Sequence, residues 1–326
     1  MTESTLAMGY ADFRRRVAGY LGWGRNDSNW STDQSDRLDE ILKSGLNQFY
    51  YPNPELQGEM AHRWTFLRPV GNFTTIAAYS TGTVSSSGTT VTLTDGTWPS
   101  WAATHGTLIV SGTRYTVSSR TSDSEIELSS APSTAFSSDT YSLEYDNDYD
   151  LEDDFGGLVG RITFNPDDAC GNLEKVDEAV IRDLREISGH SGRPQKFAVR
   201  PKVHTGASGQ RYEIMLWPMA DSAYVLTYPY SALPNALSSS YPYPYGGAVH
   251  SLTILESCLA VAELEENGIE GGPHGNAFQR MLRASIDYDL RVNCPDFYGY
   301  NGDYSRSFQE RHGGVTDITY NGESIP

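Results

Sequence analysis

No stretch of this 326-residue chain approaches eighteen consecutive apolar residues, so the sequence predicts no membrane-spanning helix. Cysteine is scarce: Cys170, Cys258 and Cys294 stand far apart, with no Cys-x-x-Cys pair. That set argues against a disulfide framework or a local structural zinc site, and fits synthesis in a reducing cytosol. The first ten residues, Met1 to Tyr10, carry no apolar core of the kind a secretory signal needs. Positive charge is also short. Lys and Arg number 24 against 42 Asp and Glu, for a formal net charge of −18, and no Lys occurs between Lys43 and Lys175. Such a balance argues against a sequence-independent grip on nucleic acid, which needs clustered cations. It is compatible with a wall past which nucleic acid slides without sticking, and equally with charge that only keeps the protein soluble.

Recognisable catalytic motifs are missing too. The histidines (His62, His105, His190, His204, His250, His274 and His312) form neither His-x-x-x-His nor His-Glu-x-x-His. There is no Gly-x-Ser-x-Gly elbow, Walker loop or dinucleotide fingerprint. Cys258 lies among Leu and Ala, where a packed, inert thiol is the expectation. The acidic run Asp146, Asp148, Asp150, Glu152, Asp153, Asp154 has the density of a calcium loop, but an EF-hand needs Gly at its sixth position and Glu at its twelfth. Leu151 and Gly157 stand there instead. The run therefore reads as a solvated hinge between domains, with a looser cation site left open. No catalytic, cofactor or metal residue can be named, and the chain is expected not to be an enzyme.

What is present is an alternation of helical and β-type patterns. Tyr10, Phe13, Val17, Tyr20 and Leu21 recur at helical spacing until Gly22 and Gly24. Leu38, Ile41, Leu42, Leu46 and Phe49 mark a second helix after the capping candidates Ser31, Thr32 and Asp33, stopped by Pro52 and Pro54. From Phe73 to Tyr145 nearly half the residues are Ser or Thr. Alternating runs at Thr90–Leu93, Thr107–Val110, Tyr115–Val117, Ile126–Leu128 and Tyr141–Tyr145 predict five or six short antiparallel strands. Beyond Asp154 the pattern predicts a helix over Asn172–Ser188 and extended pieces at Gln195–Val199, Arg211–Trp217 and Ala223–Tyr230, the last two as a hairpin. A strongly apolar helix over Ala248–Asn267, with Leu252, Leu255 and Leu259, is expected to be buried on more than one side. A last helix starts at Pro273 and runs through Phe278, Leu282, Ile286 and Leu290. The fold class is therefore α+β: a helical core with an inserted small antiparallel β-barrel or sandwich and an extended C-terminal arm. Residues 1–72 give the N-terminal helical part, 73–146 the insert, 147–294 the rest of the core with a hairpin, and 295–326 the arm.

The order of signals from Ile181-Arg-Asp-Leu-Arg-Glu-Ile through Gly192-Arg-Pro-Gln-Lys-Phe-Ala-Val, Arg211-Tyr-Glu-Ile-Met-Leu-Trp-Pro and Tyr224-Val-Leu-Thr-Tyr-Pro-Tyr to Leu259-Ala-Val-Ala-Glu resembles the head–tail connector adaptor proteins of tailed bacteriophages. The opening helices with Phe49-Tyr50-Tyr51-Pro52, and the seams Trp64-Thr-Phe-Leu-Arg-Pro69 and Tyr149-Asp-Leu-Glu-Asp-Asp-Phe155, look like the same family; at Glu152 the family pattern has Pro. The resemblance implies a helical bundle that forms a homo-oligomeric ring, usually a dodecamer, beneath the portal protein. Such a ring extends the DNA channel without binding DNA specifically and offers a docking platform to tail or stopper proteins. The implied place is the neck of the virion, after synthesis in the host cytoplasm. On this reading Leu252, Leu255 and Leu259 supply core and ring contact, and Glu263, Glu265 and Glu266 an acidic channel lining or rim. Phe297, Tyr298, Tyr300, Tyr304 and Phe308 of the arm reach onto the portal or a neighbour. The alternative is a particle-displayed carbohydrate- or receptor-binding module, with Trp98, Trp101, Tyr79 and Tyr115 of the insert stacking on sugars. Those rings could equally fill a small barrel.

Overall fold

The computed structural model describes residues 4–52, 62–165, 173–187, 190–203, 206, 209–269, 271–292, 318–320 and 323–325. It is a mixed α+β protein. Helices α1 (Tyr10–Tyr20) and α2 (Thr32–Tyr50) open the chain, followed by strand β1 (Val70–Thr74). Six strands come next: β2 (Thr83–Ser87), β3 (Thr90–Thr94), β4 (Gly106–Val110), β5 (Thr113–Arg120), β6 (Glu125–Leu128) and β7 (Tyr141–Tyr145), with the one-turn helix α3 (Ala102–His105) before β4. Then follow β8 (Asp148–Asp150), β9 (Phe155–Leu158), β10 (Thr163–Phe164), β11 (Glu174–Lys175), α4 (Glu178–Ile187), β12 (Lys196–Pro201), β13 (Tyr212–Trp217) and β14 (Val225–Ala232). Helices α5 (Gly247–Asn267) and α6 (Pro273–Val292) follow, and β15 (Ile318–Tyr320) pairs antiparallel with β16 (Glu323–Ile325).

The long helices start and stop where their terminal residues satisfy orphan backbone groups. At α2 the Ser31 hydroxyl accepts from the Gln34 N–H at 3.2 Å, while Gln34 Oε1 accepts from the Ser31 N–H at 2.9 Å, a reciprocal cap. At the end of α5, Gly268 takes φ 63°, and its N–H returns to the Leu264 carbonyl. Helices α1, α2, α5 and α6 share one buried cluster that includes Phe13, Leu38, Phe49, Ile254, Cys258 and Phe278. The α2–α5 crossing is closest at Gly45, where an added Cβ would sit 2.6 Å from Cys258 Sγ and 2.7 Å from its Cα. Only a residue without a side chain fits there.

The Ser/Thr-rich region forms a single antiparallel sheet in the order β2-β3-β6-β5-β4-β7. It curls into a half-barrel: isolated bridges Val84↔Asp139 and Tyr79↔Leu143 bring its first and last edges together. Val84, Val91, Trp98, Leu108, Ile126 and Leu143 fill the concave side. The β4–β5 hairpin turns through Ser111 and Gly112, both at positive φ (49° and 80°), the geometry of a tight two-residue turn that suits right-twisted strands. Strand β2 escapes the alternation pattern because Val84 is its lone apolar residue.

Two smaller sheets complete the fold, one with order β1-β14-β10 and β9 on β14, the other with order β11-β12-β13-β8. Side chains from both, such as Phe155, Leu226 and Tyr228 on one side and Phe197, Ile214 and Leu216 on the other, form a shared core. Ala198 and Met215 point the opposite way and receive Ile181 of α4, as the two-residue period of strands requires.

Three expectations are corrected here. β13 and β14 are not a hairpin, because they pair into different sheets and meet through side chains across the core. The helix expected over Asn172–Ser188 occupies only Glu178–Ile187. Leu173 enters the core between the sheets and Glu174–Lys175 pair with β12, so the early apolar residues serve strand packing. On α5, Leu255 and Leu259 are buried but Leu252 is 54% exposed. By length and composition α5 could cross a bilayer, yet just over half of that apolar window is buried, much of it against α2 and α6.

Candidate assembly site

Every carboxylate of the acidic run has a partner, so it is tied to the scaffold and is not a free hinge, although Asp150 and Asp153 stay on the surface. Asn147, at φ 66°, donates from Nδ2 to the Leu216 and Pro218 carbonyls and accepts from the Tyr149 hydroxyl. Asp148 is buried and receives Arg185 Nη2 and Arg200 Nη2, each at 2.8 Å. Arg200 also pairs with Glu213 at 2.6 Å. Burial pushes the Asp148 carboxyl up despite the two guanidinium groups. Asp150 pairs with Lys202 at 2.6 Å and Asp153 with Arg211 at 2.7 Å. Asp146 lies 2.9 Å from His105 Nδ1. The Tyr228 and Tyr230 hydroxyls donate to Glu152 and Asp154. No group of three or more His, Cys, Asp or Glu side chains able to hold a metal ion occurs among the described residues. Rings stack through the same seam: His105 on Tyr145, Tyr145 on Tyr149 and Tyr149 on Phe73, with centroids 4.8 to 5.1 Å apart. The half-barrel is thereby packed onto the two-sheet core.

The three glutamates at the end of α5 part company. Glu263 turns inward and is 5% exposed, so it cannot line a channel or rim. Its Oε2 accepts from the His274 N–H at 3.1 Å and the Gly275 N–H at 3.4 Å. There it faces the positive end of the α6 dipole, and Gly272 leaves room for it, since a Cβ would meet the carboxyl at 2.5 Å. Glu265 and Glu266 remain on the surface, paired with Arg37 of α2 at 3.9 and 3.0 Å.

A surface of different character lies at the other end of α5. Val249 and Leu252, three residues apart and so on one helix face, are both more than half exposed. Tyr241 and Tyr243 of the preceding loop are exposed beside them in sequence. The loop is pinned where the Pro242 carbonyl accepts from the Tyr10 N–H at 2.6 Å, and the start of α5 where Ser251 Oγ accepts from the Met8 N–H. From α6, the exposed Tyr288 stands edge-on to His250, with centroids 5.9 Å apart. His250 is itself buried among Phe49, Trp64 and Phe66. Val249, Leu252, Tyr241, Tyr243 and Tyr288 are thus apolar or aromatic side chains left in solvent around the start of α5 and on α6. Of the predicted contact residues that are described, only Leu252 is among these. Val249 and Tyr288 were missed because their helices read as core-facing; the Pro/Tyr composition of 241–247 was the available signal.

The insert's aromatic residues are inward. Trp98 is fully buried, and Tyr79, Trp101 and Tyr115 pack against the same cluster. Cys258 is a free thiol deep in the helical cluster, where burial pushes it up to about 12; at neutral pH it carries no thiolate to react. The arm residues Phe297, Tyr298, Tyr300, Tyr304 and Phe308 fall outside the described residues. Comparison with models of known protein families and with curated proteins gives no match to this chain.

Proposed function

We propose that this protein is a structural virion protein, a head–tail connector adaptor of a tailed bacteriophage. Its helical part is the bundle core of one subunit in a ring, a dodecamer by likeness to the family, which sits beneath the portal protein, continues the DNA channel and carries the tail or stopper protein. The observation that supports the reading is the set of exposed apolar and aromatic side chains Val249, Leu252, Tyr241, Tyr243 and Tyr288. It lies on otherwise well-packed helices, in a chain whose acidic seam serves scaffold contacts. A solvent-exposed face of this kind gains free energy only when a partner covers it. The net charge of −18 suits a passage for DNA that must not adhere.

The test is to mix the purified protein with portal protein and look for ring-shaped complexes by electron microscopy. The double variant Val249→Asp, Leu252→Asp is expected to weaken assembly on the order of a hundredfold, the equivalent of about 3 kcal/mol of lost apolar burial. A protein that stays monomeric and ignores the portal at high concentration removes the proposal.

A further inference from the structure

Two surface stripes, one on each of two neighbours of α5, carry opposite charge patterns over the same length of helix. On α2, Asp36, Glu40 and Lys43 are exposed and make no side-chain ion pair or hydrogen bond among the described residues. On α6 the same holds for Arg280, Arg283 and Asp287. Read from the N-terminus, α2 presents minus, minus, plus and α6 presents plus, plus, minus. Each pattern spans eight residues, seven steps or about 10 Å of helix, and each lies opposite the buried stripe of its own helix, away from Leu38 and Ile41 on α2 and from Phe278 and Leu282 on α6.

The direction of the helices decides how these stripes could meet. Gly45 of α2 lies against Cys258 of α5, and Arg37, one end along, reaches Glu265 and Glu266, so α2 and α5 are antiparallel. Thr253 of α5 bonds Ser285 of α6, while Glu263 bonds the N–H groups of His274 and Gly275, so α5 and α6 are antiparallel too. Helices α2 and α6 therefore run the same way. A rotation about an axis along these helices, the operation that builds a ring, keeps the α2 of one copy parallel to the α6 of the next. Aligned in parallel, the two stripes match in sign at every pair, Asp36 with Arg280, Glu40 with Arg283 and Lys43 with Asp287, the middle pair one residue, about 1.5 Å, out of register. An antiparallel alignment does not satisfy all three.

We infer that α6 of one copy docks on α2 of a second copy through these three charge pairs, as a head-to-tail contact that leaves the same two surfaces free at each end and so closes by repetition. The inference rests on the ring reading above and specifies its subunit contact. Pairs of this kind set register and reject wrong alignments more than they add affinity, which is what a ring with one permitted neighbour geometry requires.

The experiment is a charge reversal with rescue in the full chain, read by sedimentation and electron microscopy at low salt. Arg280→Glu with Arg283→Glu, and separately Asp36→Arg with Glu40→Arg, are each expected to reduce assembly by about tenfold or more, because like charges then face each other. Carrying all four changes in one chain is expected to restore it, since each reversed α6 then meets a reversed α2. Restoration also shows that the reversed chains fold. Assembly unchanged by either pair of reversals overturns this contact while leaving the ring reading intact. Reversals that spare assembly but lower binding to duplex DNA reassign the arginines to nucleic acid and overturn it as well. Wild-type protein that never assembles, with or without portal, overturns both readings.

Discussion

Among the residues from Gly71 to Leu158, which include the whole half-barrel, no large hydrophobic side chain is exposed, whereas the helical layer and its loops present Tyr241, Tyr243, Val249, Leu252, Tyr288 and Leu290 to solvent. The two regions solve opposite problems. The half-barrel places one apolar residue in two on its concave side and surrounds it with Ser and Thr, whose hydroxyls tolerate water or a neighbouring carboxylate equally well, as when Thr90 donates to Glu127 at 2.7 Å. The helices fill a core and keep apolar side chains on a second face. The difference teaches that burial within the chain can be completed by short alternating strands, while long helices here leave a surplus of apolar surface in solvent. The proposed assembly is therefore to be tested in the helical layer.

The sharpest way to break this comparison is to empty one core and watch the other. Trp98→Ala removes the largest buried side chain of the half-barrel, at an expected cost of about 3–5 kcal/mol. Hydrogen exchange should then show lost protection in residues 83–145 and retained protection in α2, α5 and α6. Loss everywhere would merge the two regions into one cooperative unit. Gly45→Ala makes the reciprocal test. Its Cβ would collide with Cys258 backbone at 2.7 Å, a contact that no rotamer change relieves, so α2 and α5 must separate at an expected cost of about 1–3 kcal/mol. Urea unfolding is expected to shift for the helical signal alone. Between them lies the acidic seam. Arg185→Leu strips Asp148, the Asn147 carbonyl and the Leu216 carbonyl of a donor at once. The expected loss is about 2 kcal/mol, with exchange first increasing in α4 and β8.

How much of this was legible beforehand follows from the physics each signal reports. Period-two alternation located β3 to β7, since one-sided burial leaves its mark on every second residue. It missed β2, where Ser85, Ser86 and Ser87 hold a strand by backbone pairing, with the Ser85 and Ser86 hydroxyls accepting from the Ser138 and Phe136 N–H groups, rather than by apolar burial. Helical period and caps placed α1, α2, α5 and α6. Periodicity could not tell that Leu173 and Val176 serve strand packing, because two apolar residues three apart suit either state. Nor could it see that Glu263 turns inward, since the N–H groups that receive it lie on the next helix. The acidic run misled for a related reason. Density of charge along the chain resembles a solvated linker, and the cations that neutralise it arrive from tens of residues away: Arg185 from α4, Arg200 from β12, and Lys202 and Arg211 from just beyond the facing ends of β12 and β13. The exposed apolar face was hidden because an amphipathic pattern shows that a helix has a buried side, not whether a second apolar side remains uncovered.

The smallest expected effect separates the regions by pH. His250 is buried among Phe49, Trp64, Phe66 and Tyr288, and its Nδ1 has no hydrogen-bond partner among the described residues. Burial lowers its pKa from the ordinary 6.5; the nearby Asp289 carboxylate pulls it back up and His62 adds to the lowering. Because the folded value is depressed, the unfolded chain takes the proton first as pH falls. Stability is thus full above 6.5 and declines as pH drops from there toward the folded value. One proton can change stability by at most about 1.4 kcal/mol per pH unit, so the decline is gentle and belongs to the helical layer. Melting temperatures from pH 7.5 down to pH 5 are expected to fall less in His250→Phe, whose ring keeps the aromatic packing without a titrating group, than in the unmodified protein. An identical acid slope in both would assign the sensitivity to other groups, and exchange protection lost first in the half-barrel at pH 5 would place it in the wrong region.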